Sequence, residues 1–335
     1  MPDPIPTRPA AFPRSKRRLV FVSAVATLLS MSGCVADDEV DKATTQFVQA
    51  SSTLTQSYQA LLTNANVVEA DNFIVNAAFG TQAQGLPPGK INDSAIKDTA
   101  VLTDAEIKTR TDAIKALTDY TSALSTLAAG KPGTQIQSDA ATASSSLKSF
   151  STDLTTLVVT PPKGQKPPDF ASPAGIAVTA IGDVLKVIEN HKSTQAIRDS
   201  IKDAEPKITP LYKAMEQEAA FYVDRQTKAM SAVNDTLLST YGIAIKTKPI
   251  DQELLLQLSD RLQQHQKDVA ALSTSDPTKA ITGFESAHTA LVNLITAGPS
   301  VNKKDLLDQL FAETKSFVAE VKAPSKSSTS ITNSK

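Results

Sequence analysis

The side chains best suited to chemistry in this sequence are three histidines, because histidine titrates near neutral pH and is a common metal ligand. His191 lies near the predicted end of a helix, where a positive charge complements the negative end of the helix dipole. His265 and His288 lie on the apolar stripes of two helices that a short turn joins. Antiparallel pairing of those helices predicts that the two imidazoles are offset by about one turn along a shared seam.

A metal ion at that seam would need both histidines and a further ligand, for which Glu285 and Asp268 are the candidates. No single helix carries a metal-ligand spacing of its own, so structural histidines are the favoured interpretation, and no metal or cofactor is predicted. The sequence has none of the patterns GxSxG, HExxH, GxGxxG, the Walker loop or the EF-hand. Glu216 and Glu218 are interpreted as solvated helix surface. We therefore predict that the protein is not an enzyme.

The composition argues against some classes of partner. The 335 residues include 34 basic and 35 acidic ones, interspersed along the chain, so nucleic-acid binding is not predicted. Tryptophan is absent and aromatic residues make up 5% of the chain, whereas small-molecule pockets usually draw on aromatic side chains. Cys34 is the single cysteine, so the body has no disulfide and no thiolate metal site. These features favour a helical scaffold.

The first 34 residues have the order of a secretory signal peptide, in which basic residues precede an apolar run and then small residues. The basic cluster lies between Arg14 and Arg18, and the apolar run extends from Leu19 to Met31. This run is shorter than the roughly 20 residues that a spanning helix needs, so a transmembrane anchor is not predicted.

The segment Met31-Ser32-Gly33-Cys34 resembles the bacterial lipobox, although Met31 stands where leucine is usual. The resemblance implies that residues 1–33 are a lipoprotein signal peptide and that Cys34 becomes a lipidated N-terminus. It also implies a lipid-anchored protein of the cell envelope. Val35, rather than aspartate, follows the cysteine, which favours the outer membrane of a Gram-negative cell, on its periplasmic face or at the surface. Ordinary secretion with a free Cys34 is the alternative.

Apolar residues recur every three or four positions through the body of the chain, which is the period of amphipathic helices. The pattern predicts an all-α, elongated antiparallel bundle of about seven to eight helices. A first helix is predicted from about residue 38 to residue 79, along a stripe of apolar side chains at seven-residue intervals: Phe47, Leu54, Leu61, Val68 and Val75. Thr103 and Glu106 form a predicted capping box at the start of a later helix.

Proline-rich stretches predict the joints of the bundle. Residues 161–171 are predicted to link an N-terminal half, 34–160, to a C-terminal half, 172–322, which a disordered tail, 323–335, follows. Ser172 and Pro173 are predicted to be the cap and first residue of the next helix. Pro206 and Pro210 predict a break or kink in the helical region from 194 to 245.

The sequence therefore predicts a non-enzymatic, membrane-anchored envelope lipoprotein that presents helical surface to a protein partner, as a scaffold, assembly factor or adhesin. The alternative is a periplasmic lipoprotein that binds a small ligand or a metal ion between its helices. A third possibility is an α-helical pore-forming protein, which would use the apolar stretch from Phe170 to Ile188, although Asp183 and Lys186 interrupt that stretch.

Overall fold

The computed structural model describes residues 36–80, 92–157, 167–190, 192–272, 277–298 and 301–320. All regular secondary structure within these ranges is helical, so the predicted all-α class is confirmed. The helices are α1 (Ala36–Phe79), α2 (Asp93–Lys97), α3 (Asp104–Ala128), α4 (Gly133–Thr156), α5 (Ala171–Glu189), α6 (Thr194–Ala244), α7 (Gln252–Leu272), α8 (Thr278–Thr296) and α9 (Lys303–Glu320). The leader, Cys34, His191, linker residues 161–166 and the tail 323–335 lie outside the described residues.

Two long helices, α1 and α6, run side by side in the same direction. The Tyr58 hydroxyl donates a hydrogen bond to Glu218, and further along both helices the Thr240 hydroxyl donates to the carbonyl oxygen of Phe79. At 1.5 Å per residue, α1 is about 66 Å long and α6 about 77 Å long. The end of α6 therefore lies beside the end of α1, far from the first residue of α1.

The main core surrounds the first two thirds of α1 and the first half of α6. It contains buried side chains from α1, α3, α4, α5, α6, α8 and α9. Phe47 of α1 packs against Phe284 of α8 and Phe317 of α9, with ring centroids 5.0 and 5.4 Å apart. Helices from both sides of the predicted linker therefore contribute to one hydrophobic core.

Beyond this core, the described part of the bundle consists of α1, α6 and α7. Val75, Leu237 and Leu258, one from each helix, are buried together in a smaller apolar cluster. An ion pair between Arg261 of α7 and Asp71 of α1 lies next to this cluster. We call this narrow part of the molecule the distal tip, and the opposite end, where α1 begins, the base.

Side chains cap the starts of α2, α3 and α6, whereas α4, α5 and α8 begin without a side-chain cap. The capping box at α3 is confirmed, since the Glu106 N–H donates to the Thr103 hydroxyl and the Thr103 N–H donates to the Glu106 carboxylate. The predicted cap of α5 is wrong, because α5 begins at Ala171 and Ser172 lies inside its first turn. There Ser172 donates its N–H and its hydroxyl proton to the Asp169 carboxylate.

Of the predicted break or kink in the region from 194 to 245, the break is wrong, because α6 continues through Pro206 and Pro210. A kink at these prolines stays a prediction. Both prolines are exposed. Each lacks an N–H group and leaves the carbonyl oxygen four residues earlier without its helical partner. That carbonyl lies on the same side of the helix as the proline, so water can reach it and the helix need not end.

Candidate functional sites

The structure does not bring His265 and His288 together. His265 lies next to Met230 of α6, whose backbone carbonyl oxygen accepts a hydrogen bond from the imidazole. His288 instead packs against Tyr212 of the same helix. These two positions on α6 are about 27 Å apart. The predicted seam fails because α7 packs against the distal part of α6, which extends beyond the main core.

His288 is fully buried in a polar cluster that joins α3, α6 and α8. Its ring centroid lies 5.7 Å from those of Tyr120 and Tyr212, and its Nδ1 lies 3.5 Å from Oε2 of Glu205. The other oxygen of Glu205 accepts a hydrogen bond of 3.1 Å from the Thr289 hydroxyl. Neither imidazole nitrogen of His288, nor the hydroxyl of Tyr120 or Tyr212, has a hydrogen-bond partner among the described residues.

Burial determines the protonation of this cluster. It lowers the pKa of His288, and the nearby Glu205 carboxylate opposes that shift only in part. Burial also raises the pKa of Tyr120 and of Tyr212. The imidazole and both phenols are therefore neutral near pH 7, with the Glu205 carboxylate beside the imidazole.

The proposed metal ligands are divided between two places. Glu285 is on α8 with His288, and Asp268 is on α7 with His265, where it accepts a hydrogen bond from Gln264. Within the described ranges, no group of three or more His, Cys, Asp or Glu side chains could hold a metal ion. The His288 cluster therefore pairs one neutral imidazole with one carboxylate, that of Glu205.

A second buried polar group, at Arg110 and Glu218, was missed in the sequence. Glu218 was interpreted as solvated surface, but it is fully buried and forms an ion pair of 2.7 Å with Arg110. A signal was present, because Glu218 lies between Met215 and Tyr222 at helical spacing on the apolar stripe of α6. The charged groups of this pair bond to each other and to Tyr58, so the pair stabilises the fold and is not accessible to a ligand.

The distal tip carries a set of exposed apolar side chains. Four of them, which we call the apolar end, lie at the end of α6 and in the turn after it: Leu238, Ile243, Ile245 and Ile250, which are 45–55% exposed. Exposed apolar side chains that follow one another closely in the chain are candidates for a contact site. Because Thr240 contacts Phe79, the apolar end lies beside the last residue of α1, at the opposite end from the base.

One helix in the described part, α5, is long and apolar enough to cross a membrane, by length and composition only. Its apolar side, which includes Ala174, Ile181 and Ile188, is buried in the main core, where α5 packs against α4 and α6. Core helices of soluble proteins pass the same test, so α5 is weak evidence for membrane insertion.

The functional evidence is therefore the chain's own chemistry: the leader, the two buried polar clusters and the apolar end. No protein-family model, no curated protein and no solved structure matches the chain.

Proposed function

We propose that the protein is a non-enzymatic, lipid-anchored protein of the bacterial envelope that holds its apolar end away from the membrane for a protein partner. The observation that carries this proposal is the position of the apolar end relative to the start of α1. Ala36 is the first residue of α1 and follows Cys34 by two positions. A lipid on Cys34 would hold the base at the membrane, with the apolar end about 66 Å away along α1.

The chemistry of the apolar end suits a protein interface. Fully burying an exposed isoleucine contributes about 1.5–3 kcal/mol, and covering Ile243 or Ile245, which are 55% and 45% exposed, contributes about half of that. Exposed Lys246 and Lys248 lie between these isoleucines and Ile250. An apolar centre with polar residues around it is the usual arrangement of a protein–protein interface.

Site-specific photo-crosslinking in intact cells tests the partner. A photoreactive amino acid replaces Ile243, Ile245 or Ile250 in the full chain, and Ile176 of α5, which is similarly exposed, serves as the control position. We expect one defined protein adduct from the three tip positions and none from Ile176. The complex should also be lost in an Ile245→Glu variant, because a carboxylate would then be buried in the interface.

Three outcomes would contradict the proposal: the same adducts from Ile176, lipid adducts in place of protein, or an adduct that survives Ile245→Glu. Anchoring is tested separately by fractionation of a Cys34→Ala chain. We expect this variant to leave the membrane fraction, because the thioether lipid would be its attachment. A Cys34→Ala chain that stays with the membrane would contradict the anchor but not the protein contact.

A further inference from the structure

A surface groove runs between α1 and α9 near the base, with a volume of about 730 Å³. The two helices run in the same direction, since Val40 is buried with Leu307, and Phe47 packs against Phe317. Residues from both helices line the groove: Lys42, Gln46, Gln49, Ala50 and Thr53 from α1, and Phe311, Ala312, Lys315 and Val318 from α9.

The shape of the groove matches a helix. The lining residues follow helical spacing on each side, so the groove is two helix stripes side by side, about 16 Å long from Lys42 to Thr53. Small side chains at Ala50 and Ala312 let another helix approach closely, and Phe311 provides an apolar contact. An amphipathic helix laid on such a surface is a common mode of protein recognition.

The charge of the groove selects an acidic occupant. Its ionisable lining residues are both lysines, Lys42 and Lys315. Both are exposed, and the ion pairs found among the described residues include neither of them. The chain beyond α9 does not fit by charge, because residues 321–335 contain three lysines and no acidic residue.

A matching acidic stripe lies on α7, at the distal tip of the molecule. Glu253, Leu256 and Asp260 lie three and four residues apart, on one exposed face of that helix. Leu256 is 66% exposed, the largest exposed fraction among the large apolar side chains that the structure describes. The face therefore presents one apolar side chain between two carboxylates, over about 10 Å.

We propose that the groove binds this α7 stripe of a second copy of the chain. Leu256 would pack over Ala312, with Glu253 and Asp260 paired to the two groove lysines. The contact cannot form within one copy, because α7 lies beside Asp71, about 27 Å further along α1 than Thr53. Such an interface joins different surfaces of two copies, so it is heterologous. It uses other residues than the apolar end. Because the groove lies near the base and α7 at the distal tip, the contact joins copies that are free to shift or turn relative to each other, not copies that stand side by side on one membrane.

Cysteine crosslinking of the full-length Cys34→Ala chain in solution tests the contact, because these copies are not held side by side by a lipid. Two chains with different tags are produced together, one with Gln49→Cys in the groove and the other with Gln257→Cys beside Leu256. A short bismaleimide should join them into a product that carries both tags. The matched control replaces Gln257→Cys by Gln195→Cys, an exposed glutamine on α6. Cys34→Ala chains without an introduced cysteine give the background.

Charge reversal then tests the recognition. Glu253→Lys with Asp260→Lys in the chain that donates α7 should lower the yield of the mixed product about tenfold, because like charges would face each other. Lys42→Glu with Lys315→Glu in the chain that supplies the groove should do the same. Combining the two reversals in opposite chains should restore the product. A yield equal to that of the Gln195→Cys control, an insensitivity to either reversal, or a failure of the combination to restore it would overturn the proposal.

Discussion

Arg110 of α3 and Glu218 of α6 form a buried ion pair in which the side chains are 1% and 0% exposed. Glu218 accepts from Arg110 through Nη2 at 2.7 Å and Nε at 2.8 Å, and from the Tyr58 hydroxyl at 3.1 Å. Burial raises the pKa of Glu218, and Arg110 acts in the opposite direction. The Arg110 guanidinium also lies over the ring of Phe170, 5.3 Å from its centroid. The hydrogen bonds among Tyr58, Arg110 and Glu218 thus fix the relative positions of α1, α3 and α6.

The first prediction concerns this pair. Glu218→Gln leaves the Arg110 charge buried without its counter-ion, so the free energy of unfolding should fall by about 3–5 kcal/mol. Urea denaturation measures the change. The matched control is Asp224→Asn, which breaks an exposed pair with Lys228 and should cost about 0.5 kcal/mol or less. Equal losses in the two variants would show that Glu218 is not held as a buried ion.

These residues also show what the sequence can and cannot predict. The burial of Glu218 follows from its position on the apolar stripe of α6, and the start of α3 follows from the local pair Thr103 and Glu106. The partner of Glu218 does not follow, because Arg110 is 108 residues away and no local pattern relates the two. The predicted position of His265 is wrong for a similar reason, since the helix that α7 packs against depends on how far α6 extends beyond the core.

The apolar end and the groove were likewise predictable only in part from the sequence. Their residues lie on helices whose periodicity was recognised, but periodicity alone does not say which stripes remain uncovered. The exposure of Leu256, for example, depends on how many helices reach the distal tip, where α1, α6 and α7 contribute to the local apolar cluster. The number of neighbours at each level of the bundle is a tertiary property, so these surfaces required the structure.

The second prediction concerns the prolines of α6. Pro206→Ala adds an N–H group that can bond the carbonyl oxygen of Lys202, so it should stabilise the protein by up to about 3 kcal/mol. Pro173→Ala is the matched control, because Pro173 lies in the first turn of α5, where no helical hydrogen bond is lost. Thermal unfolding compares the two. A loss of stability in Pro206→Ala would mean that the core requires the local geometry that proline imposes on α6.

The third prediction concerns pH and His288. Burial lowers the pKa of His288 in the folded state below the ordinary value of about 6.5, so the unfolded chain binds more protons as the pH falls. Stability should therefore be complete above pH 6.5 and decrease as the pH falls toward the lowered folded-state pKa. A single proton contributes up to about 1.36 kcal/mol per pH unit. Urea denaturation at pH 7.5, 6.5 and 5.5 measures the slope.

A His288→Leu variant isolates the contribution of this histidine. It keeps an apolar side chain in the cluster and removes the titrating group, so the slope below pH 6.5 should decrease by up to one proton. His265 remains as an internal comparison, because burial lowers its pKa as well. An unchanged slope in His288→Leu would mean that His288 takes up its proton equally well in the folded protein, contrary to its burial.

The fourth prediction compares two helical glycines with different surroundings. A Cβ atom at Gly283 of α8 would lie 3.0 Å from the Cα and 3.3 Å from the Cβ of Phe317, so α8 and α9 would have to separate. Gly283→Ala should therefore destabilise the protein by about 1–3 kcal/mol. At Gly182 of α5 the nearest atom is the Leu147 Cδ2, at 3.5 Å, which is ordinary contact. Gly182→Ala should instead stabilise by about 0.5–1 kcal/mol, because alanine favours a helix interior. Chemical denaturation should give changes of opposite sign, and the same sign in both would contradict the close approach of α9 to α8.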